Sequence, residues 1–466
     1  MRSLREFAQA CGGVLVGTDR QFSGVSTDSR RIGRGELFIA LRGPRFNGNE
    51  FVGAALAAGA AGAVVDAQND TPLAQIVVGD TQAALMQAAA AARAGFAGTV
   101  VGVAGSNGKT TVKEMIAAIL GEAGSTLATL GNLNNHIGVP LTLLRLTPAA
   151  RFAVIEIGAN HPGEVANLAQ LARPEIGIVT NAGAEHLEGF GSLEGVARAE
   201  GELFAALPGD GVAVLNADDA FAALWRGMTA APVSSFGFSD DADVRAEELS
   251  ARLDADGLRT QFALIAPQGR TRVVLKLAGM HNVVNALGAA AVALAAGASL
   301  SQVAAGLARV EAVSGRLQFR ARPDGVWIID DSYNANPSSM RAALDVLAAL
   351  GGRGWFVVGD MGELGDYAEQ SHVELGELAR ERGVERLFAT GPLSALSVEA
   401  FGKGAAWYPD ADSLARAVSA ELGDGVRVLV KGSRSNRLER VVDQLLFAPT
   451  AVSRDEPQRN ERMDGH

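Results

Sequence analysis

Short apolar runs alternate with helical patterns along most of the chain. The segments Val100–Val103 and Phe152–Ile157 are almost continuously apolar, whereas Thr111–Leu120 repeats its apolar side chains at helical spacing. Buried parallel strands form near-continuous apolar runs, and helices connect them. The pattern therefore predicts an α/β fold with mostly parallel sheets.

The same pattern divides the chain into three domains and a tail. We expect a smaller N-terminal α/β domain at residues 1–97 and a central domain at 98–313. The central domain has a P-loop-type parallel sheet, with a small antiparallel addition at 243–277. A Rossmann-like α/β domain is expected at 314–447, and a disordered polar tail at 448–466. A length of 466 residues suits about three domains.

Composition and charge narrow the class of protein. The formal net charge of −11 disfavours nucleic-acid binding, because no basic stripe offsets it. The single cysteine, Cys11, excludes an intramolecular disulfide and fits a reducing compartment. The chain starts without a signal-peptide core, and its alanine-rich runs are too short and interrupted to span a membrane. We expect a cytoplasmic monomer without membrane insertion.

A glycine-rich loop joins a predicted strand to a predicted helix and is the most specific motif. It reads Gly105-Ser106-Asn107-Gly108-Lys109-Thr110-Thr111. Backbone N–H groups of such a loop surround an anion, and the helix N-terminus adds its dipole. Lys109 is expected to reach the β/γ-phosphates, and Thr110 to hold Mg²⁺. The loop is shorter than the standard motif, because Val103 stands where the first glycine would be, but it still predicts nucleotide binding.

Polar residues follow the next predicted strands. Glu156 lies near the end of an apolar run, and His186 follows another such run. An acid at the carboxyl edge of a parallel sheet suits Mg²⁺, although a satisfied buried acid and a structural histidine are the alternatives. Glu200 and Glu202 lie on the next helical segment, where a solvated face is the simpler interpretation.

Other polar segments leave their role open. The turn-rich segments at 26–31 and 43–50 contain arginines, which suit an anionic ligand as well as a solvated loop. An asparagine-rich loop lies at 132–135, and Asn282 and Asn285 share one face of a predicted helix.

Nine segments together resemble the Mur ligase family. They read GSNGKTTVKEM, TLGNLNNHIGVPLTLLRL, AVIEIGANHPGEV, AEHLEGFGSLEGVA, GMHNVVNAL, SGRL, DDSYNANPSSM, VVGDMGELG and LVKGSRSNRLE. The resemblance extends to about residue 447. The strings GNLNNHIGVP, DSYNANP and GDMGELG are specific to one branch of that family.

For this branch, the resemblance implies an ATP-dependent ligase of peptidoglycan precursor synthesis. Its substrates are UDP-N-acetylmuramoyl-tripeptide (UDP-MurNAc-tripeptide) and D-alanyl-D-alanine, with Mg²⁺ as cofactor. ATP phosphorylates the tripeptide carboxylate, and the dipeptide amine then attacks the acyl phosphate. The tetrahedral intermediate collapses to the amide and phosphate. The sequence leaves open whether the third residue of the tripeptide is diaminopimelate or lysine.

The resemblance also implies roles for individual residues. The implied catalytic residues are Lys109, Glu156, His186, Glu200, Arg316 and Asp331. Beside the loop 105–111, the implied ATP contacts are Asn282, Asn285, Arg316 and Asp331. The implied metal ligands are Thr110, Glu156, His186 and Glu200. The predicted substrate contacts are Ser29, Arg30, Arg45, Asn47, Asn134, Asn135, Tyr333, Asn334 and Asn336.

The sequence departs from the family pattern at two places. Family members commonly carry a carbamylated lysine in an A-K-G-E motif, whereas this chain has Glu200 at that position. We hypothesise that Glu200 supplies the metal-directed carboxylate directly. The second departure is Asn47-Gly48-Asn49, where the family usually shows Asp and His, and it leaves the details of uridine binding open.

Two other functions are compatible with parts of the pattern. Another Mur-type or a folylpolyglutamate-type ligase would share the ATP-binding core. A nonenzymatic nucleotide-binding switch would share the glycine loop, but it would leave four residues unexplained, namely Glu156, His186, Arg316 and Asp331.

Overall fold

A computed structural model of the chain describes residues 3–44, 46–185, 187–254 and 257–447. It contains two compact units. The first consists of described residues up to Val313, together with Asn336–Ala342 and Glu363–Ala368. The second contains Ser314–Ala335, Ala343–Gly362 and the described residues from Glu369 onward. The division into three domains stays a prediction.

The N-terminal part of the first unit contains a five-stranded sheet in the order β1-β7-β6-β3-β2, and a separate two-stranded sheet, β4-β5. The strands are β1 (Val14–Val16), β2 (Val25–Ser26), β3 (Leu37–Ile39), β4 (Arg42–Gly43), β5 (Phe46–Asn47), β6 (Gly62–Val65) and β7 (Gln75–Val77). The helices are α1 (Leu4–Ala10), α2 (Val52–Ala57) and α3 (Thr81–Ala94), with a 3₁₀ turn at Gly48–Phe51.

A nine-stranded sheet follows in the same unit, in the order β16-β15-β14-β13-β12-β11-β8-β10-β9. Its strands are β8 (Thr99–Ala104), β9 (Thr126–Ala128), β10 (Phe152–Glu156), β11 (Ile176–Val179), β12 (Val212–Asn216), β13 (Val233–Gly237), β14 (Val244–Asp254), β15 (Gly257–Ala266) and β16 (Gly269–Leu275). Strands β8 to β14 pair in parallel, whereas β15 and β16 pair antiparallel. The expected antiparallel addition is confirmed.

Eight helices among the described residues accompany this sheet. They are α4 (Lys109–Ala123), α5 (Gly138–Leu143), α6 (Glu164–Ala172), α7 (Leu187–Phe190), α8 (Leu193–Ala205), α9 (Ala222–Met228), α10 (Met280–Ala295) and α11 (Leu300–Arg309). Helix α4 buries Val112, Met115, Ile116 and Ile119 in the core against the sheet. This apolar stripe, at helical spacing, holds the helix N-terminus at the carboxyl end of β8.

The second unit contains a six-stranded sheet in the order β17-β18-β22-β19-β20-β21, parallel except at β17. Its strands are β17 (Gln318–Ala321), β18 (Trp327–Asp331), β19 (Arg353–Gly359), β20 (Arg386–Thr390), β21 (Ala405–Tyr408) and β22 (Val426–Lys431). The remaining helices of the chain are α12 (Pro337–Ala349), α13 (Ala368–Glu381), α14 (Ser394–Phe401), α15 (Ala411–Glu421) and α16 (Glu439–Phe447), with 3₁₀ turns at Gly365–Tyr367 and Arg434–Asn436.

The predicted α/β fold class is therefore confirmed. Within the described residues, no helix has the length and apolar character needed to cross a bilayer. The predicted disordered tail, 448–466, lies outside the described residues.

Candidate active site

The backbone conformation of the glycine loop requires glycine at two positions. Gly105 has φ of 119°, and a Cβ there would lie 2.2 Å from Thr180 Oγ1. Gly108 has φ of 85°, and a Cβ there would lie 2.6 Å from Asn285 Oδ1. Any larger residue would strain the backbone and push these neighbours away. The two glycines thus set the curvature of the loop before α4.

The segment that follows β11 fastens the loop from one side. Ser106 N donates to Asn181 O at 2.9 Å, and Gly183 N donates to Ser106 Oγ at 2.8 Å. Asn107 N donates to Asn181 Oδ1 at 3.0 Å, while Thr180 Oγ1 donates to Asn107 O at 2.7 Å. Strands β8 and β11 are parallel neighbours, so their carboxyl ends meet at one sheet edge.

Lys109 turns back over the loop. Its Nζ donates to Gly105 O, to Ser106 O at 3.0 Å and to Glu185 Oε1 at 3.2 Å. Burial lowers the pKa of Lys109, but the carboxylates of Glu185, Glu200 and Glu156 outweigh this effect and hold the pKa above its usual value. The ammonium is thus a fixed positive charge at the loop.

Thr110 and Glu156 form a buried pair beside the loop. Thr110 Oγ1 donates to Glu156 Oε1 at 3.1 Å, and Asn134 Nδ2 donates to the same oxygen at 2.9 Å. Glu156 is 1% exposed, and its Oε2 has no hydrogen-bond partner among the described residues. A buried carboxylate oxygen without a partner is costly, and a bound cation would satisfy it.

A second lysine, Lys113, lies one turn further along α4 and is completely buried. Its Nζ donates to Thr129 O at 2.8 Å and to Gly131 O at 3.2 Å. It lies 2.7 Å from Glu114 Oε1 and 3.9 Å from Glu156 Oε2. Lys113 therefore ties the start of the asparagine-rich loop to α4 and places a positive charge near Glu156.

Glu200 lies inside the protein and not on a solvated face. It is 2% exposed, and its Oε2 accepts the Gly105 N–H at 2.7 Å. Burial raises the pKa of Glu200 to about 7, an effect that nearby Lys109 opposes and nearby Glu185 increases. Its neighbour Glu202 has a structural contact, because its two oxygens accept the N–H groups of Gly163 and Ala166 at the start of α6. The solvated-face interpretation is wrong for Glu200.

The remaining predicted ATP contacts of the first unit lie close to the loop. Asn282 and Asn285 are buried at the start of α10, and Asn285 Nδ2 donates to Asn282 Oδ1 at 3.1 Å. The short distance from Gly108 to Asn285 places this pair at the N-terminus of α4. Thr111 is half-buried in the first turn of that helix. The inference that the two asparagines share one face is confirmed.

Three further predicted contacts have local partners in the first unit. Asn336 is buried, and its Nδ2 donates to Asn107 Oδ1 at 2.9 Å. Asn107 Nδ2 in turn donates to Ser338 Oγ at 3.0 Å. Asn135 is exposed, and its Oδ1 accepts the N–H groups of Ile137 and Gly138 at the start of α5. Asn135 therefore fastens this helix.

The second unit brings its predicted residues together at the carboxyl end of β18. Asp331 Oδ2 lies 2.7 Å from Lys431 Nζ, and Asp331 Oδ1 accepts the Leu317 N–H at 3.1 Å. Burial raises the pKa of Asp331, although Lys431 opposes this shift. Lys431 Nζ also donates to the carbonyl of Asn334, whose side chain is exposed, at 2.9 Å. The Arg316 guanidinium lies 4.4 Å from the centre of the Tyr333 ring.

The described substrate-contact candidates in the N-terminal part of the first unit lie in two local clusters. Arg30 is exposed and donates twice to Asp28, at 2.9 Å in each case, and Ser29 between them is half-buried. In the second cluster, Asn47 Oδ1 accepts from Asn49 Nδ2 at 2.9 Å, and Asn49 Nδ2 also donates to Asp66 at 2.7 Å. Arg45 lies outside the described residues.

A divalent cation fits part of the predicted metal site. Within the described ranges, no group of three His, Cys, Asp or Glu side chains is arranged to hold a metal ion. His186, one predicted ligand, lies outside those ranges. The Thr110 hydroxyl and the Glu156 carboxylate, which are joined through Oε1, nevertheless supply hard oxygen atoms of the kind that Mg²⁺ prefers, and Glu156 Oε2 has no hydrogen-bond partner among the described residues.

Sequence reasoning did not identify Glu185, Lys113 and Lys431 as part of the candidate site. Lys113 left a detectable signal, because it falls four residues after Lys109 within the stripe that α4 buries. A charge in such a stripe needs a buried partner. For Glu185 and Lys431, the partners Lys109 and Asp331 are distant in sequence, so no local pattern indicated them.

Three family models, all of Mur ligase domains, match successive parts of the chain. The model of the Mur ligase family catalytic domain matches residues 21–118, and that of the Mur ligase middle domain matches 103–293. The model of the Mur ligase glutamate ligase domain matches residues 315–434.

Individual relatives cover nearly all of the chain. The UDP-N-acetylmuramoyl-tripeptide–D-alanyl-D-alanine ligase of Escherichia coli K12 is 43% identical over 445 residues, or 95% of this chain and 98% of the relative. The crystal structure of MurF from Acinetobacter baumannii has a TM-score of 0.87 and 36% identity, and covers 95% of this chain and 98% of that one. MurF from Thermotoga maritima in complex with ADP has a TM-score of 0.78 and 27% identity, with coverage of 91% and 96%.

Proposed function

The chain belongs to the Mur ligase family, and on this premise we propose that it joins D-alanyl-D-alanine to UDP-MurNAc-tripeptide. It is an ATP-dependent, ADP-forming ligase of peptidoglycan precursor synthesis. The single observation that carries the assignment is 43% identity to the UDP-N-acetylmuramoyl-tripeptide–D-alanyl-D-alanine ligase of Escherichia coli, across 98% of the length of that relative. The glycine loop, with buried Glu156 beside it, supplies a matching phosphate-handling site.

The first unit supports phosphoryl transfer. In the proposed reaction, a carboxylate oxygen of the tripeptide attacks the γ-phosphorus and ADP leaves. Lys109 and the loop N–H groups offset the negative charge of the phosphates. By analogy with the family, Asn282 and Asn285 are proposed to contact the adenine. They lie beside Gly108 at the N-terminus of α4, close to the proposed nucleotide site.

Mg²⁺ is the proposed cofactor, and it would stabilise the negative charge on the phosphate oxygens during phosphoryl transfer. Thr110 and Glu156 would hold it, with His186 and Glu200 as further proposed ligands. Asn134 and Lys113 keep the Glu156 carboxylate oriented from two sides. Substitution of Asn134 or Lys113 is expected to weaken metal binding although no proposed metal ligand is removed.

The second unit supports nucleotide and dipeptide contacts. Asp331 is proposed to contact the ribose and Arg316 the γ-phosphate. Lys431 keeps Asp331 in place through the 2.7 Å ion pair. The proposed peptide contacts are Tyr333 and Asn334 in this unit, and Asn134, Asn135 and Asn336 in the first unit. Once the carboxylate is phosphorylated, the dipeptide nitrogen attacks the carbonyl carbon, phosphate leaves, and the nitrogen loses a proton.

The N-terminal part of the first unit is proposed to bind the uridine nucleotide of the substrate. Ser29, Arg30, Arg45 and Asn47 are the proposed contacts. Arg30 is exposed and held by Asp28, so its guanidinium is oriented while staying accessible.

We propose that Glu200 replaces the carbamylated lysine of other family members. Its carboxylate is buried and directed at Gly105, the first residue of the phosphate loop. No CO₂-derived modification is then needed, so bicarbonate should not change the activity of the unmodified enzyme. Glu200→Lys should become bicarbonate-dependent, and its intact mass should increase by one carbamyl group. Full activity of Glu200→Ala would contradict this role.

The proposed reaction is tested by its products and by the path of oxygen. The enzyme is incubated with ATP, D-alanyl-D-alanine and UDP-MurNAc-tripeptide carrying ¹⁸O in its terminal carboxylate. Mass spectrometry should detect the pentapeptide product, with one ¹⁸O in the released phosphate. Testing both diaminopimelate- and lysine-containing tripeptides identifies the third residue. An unlabelled phosphate would contradict the acyl-phosphate path.

We place the reaction in the cytoplasm, where ATP and nucleotide-activated precursors are available. A monomer is proposed, and sedimentation velocity would test it.

A three-domain organisation, with boundaries near residues 97 and 313, is also proposed. Limited proteolysis should then cut first at those boundaries.

A further inference from the structure

The ammonium of Lys109 uses all its hydrogen-bond donors within the protein. A lysine ammonium has three donors and no acceptor. The three acceptors are Gly105 O, Ser106 O at 3.0 Å and Glu185 Oε1 at 3.2 Å. Lys109 therefore contacts a phosphate oxygen only by giving up one of these partners.

The partner most easily exchanged is Glu185. The two carbonyls belong to the loop backbone, which Glu200 and Asn181 hold through the N–H groups of Gly105 and Ser106. The Glu185 carboxylate is instead at the end of a rotatable side chain. Its side chain is 12% exposed, so it has a path toward solvent.

Electrostatics favours the same exchange. A carboxylate 3.2 Å from Lys109 would stand beside the terminal phosphates of a bound nucleotide. Like charges at such distances repel strongly where water is scarce. The carboxylate and the phosphate compete for one cation, so binding of the nucleotide displaces the contact between Lys109 and Glu185.

We propose that Glu185 is a positioning residue that competes with the nucleotide phosphates for Lys109. It keeps the ammonium directed over the loop, and it weakens nucleotide affinity enough for ADP to leave quickly after each turnover. This inference rests on the proposed use of ATP at this loop. A purely structural role predicts the opposite effect, because loss of a loop-bracing contact would weaken nucleotide binding.

The test is isothermal titration of the full-length protein with Mg·ADP, combined with stopped-flow measurement of ADP release. Glu185→Gln should bind ADP about tenfold more tightly, the size expected for losing a competing charge-assisted contact. ADP release should slow by a similar factor. The matched control is Glu194→Gln, which removes the same charge from an exposed ion pair with Arg198 and should leave affinity unchanged.

Glu185→Asp provides a second test that does not depend on a change of net charge. The shorter arm keeps the carboxylate but withdraws it from Lys109, so ADP should bind more tightly than to the unmodified protein and less tightly than to Glu185→Gln. Unchanged or weaker ADP binding by folded Glu185→Gln or Glu185→Asp would overturn the inference. If the unmodified protein bound no ADP, the proposed use of ATP would itself fail.

Discussion

The glycine loop at 105–111 and the arginine-containing loop at 26–31 are both polar and turn-rich, yet their side chains are held in different ways. At 105–111, the polar groups are buried or half-buried, and they bond to residues distant in sequence, among them Glu156, Asn181 and Glu200. Near Asp28 and Arg30, the charges are exposed and pair within the same turn.

This difference determines how each loop should respond to mutation. Removing one member of a buried network leaves its partners unsatisfied, which is costly. An exposed ion pair exchanges readily with water, so its loss changes stability little. The glycine loop is therefore expected to be sensitive in both stability and catalysis, and the loop at 26–31 mainly in substrate binding.

The largest effect is expected for Glu156→Gln. The substitution removes the charge of a buried carboxylate that accepts the Thr110 hydroxyl. The value of kcat should fall about 1,000-fold, the size of losing a charge-stabilising group in a dry site. Steady-state kinetics across a Mg²⁺ titration measures this. The exposed Glu194→Gln is the control, and a loss below tenfold would contradict a metal-directed role.

Lys113→Met should primarily affect folding stability. The fully buried ammonium would be lost, and with it the positive charge that lies 3.9 Å from the second oxygen of the Glu156 carboxylate. Breaking such a buried pair should lower the free energy of unfolding by about 3 kcal/mol. Urea denaturation measures it, with Lys276→Met, an exposed pair with Glu311, as the control. Equal effects of the two substitutions would contradict the distinction between buried and exposed charges.

Glu200→Gln should change how stability depends on pH. Burial raises the pKa of Glu200 to about 7, above its value in the unfolded chain, so this carboxyl stays protonated up to a higher pH in the folded protein. The unmodified protein should therefore lose stability as pH rises from about 4.5 toward 7. With EDTA present, the free energy of unfolding of Glu200→Gln is compared with that of the unmodified protein. This difference should favour the variant by about 2 kcal/mol more at pH 8 than at pH 5. A pH-independent difference would contradict the burial argument.

The smallest change in stability is expected for Arg30→Ala. Arg30 is exposed and pairs only with Asp28 among the described hydrogen-bond partners. The thermal midpoint should not change, while KM for the UDP-substrate should rise severalfold at constant kcat. Arg5→Ala, which disrupts another exposed pair, should change neither quantity. A large drop in the thermal midpoint would show that this loop resembles the buried one.

The sequence predicted the elements that depend on local pattern. The parallel strands, the helix after Gly108 and the position of Glu156 at a strand end all follow from apolar spacing. The sequence could not predict that Glu200 contacts Gly105, because that contact joins residues 95 positions apart. The contacts of Lys109 with Glu185 and of Asp331 with Lys431 depend on strand order, which no local pattern specifies.

The most direct test of the ligase assignment is ADP release with each substrate omitted in turn. The purified protein is given Mg·ATP, then UDP-MurNAc-tripeptide, D-alanyl-D-alanine, or both. Sustained ADP release is expected only when both substrates are present, with one amide formed per ADP. Equal ADP release with and without the two substrates would contradict it.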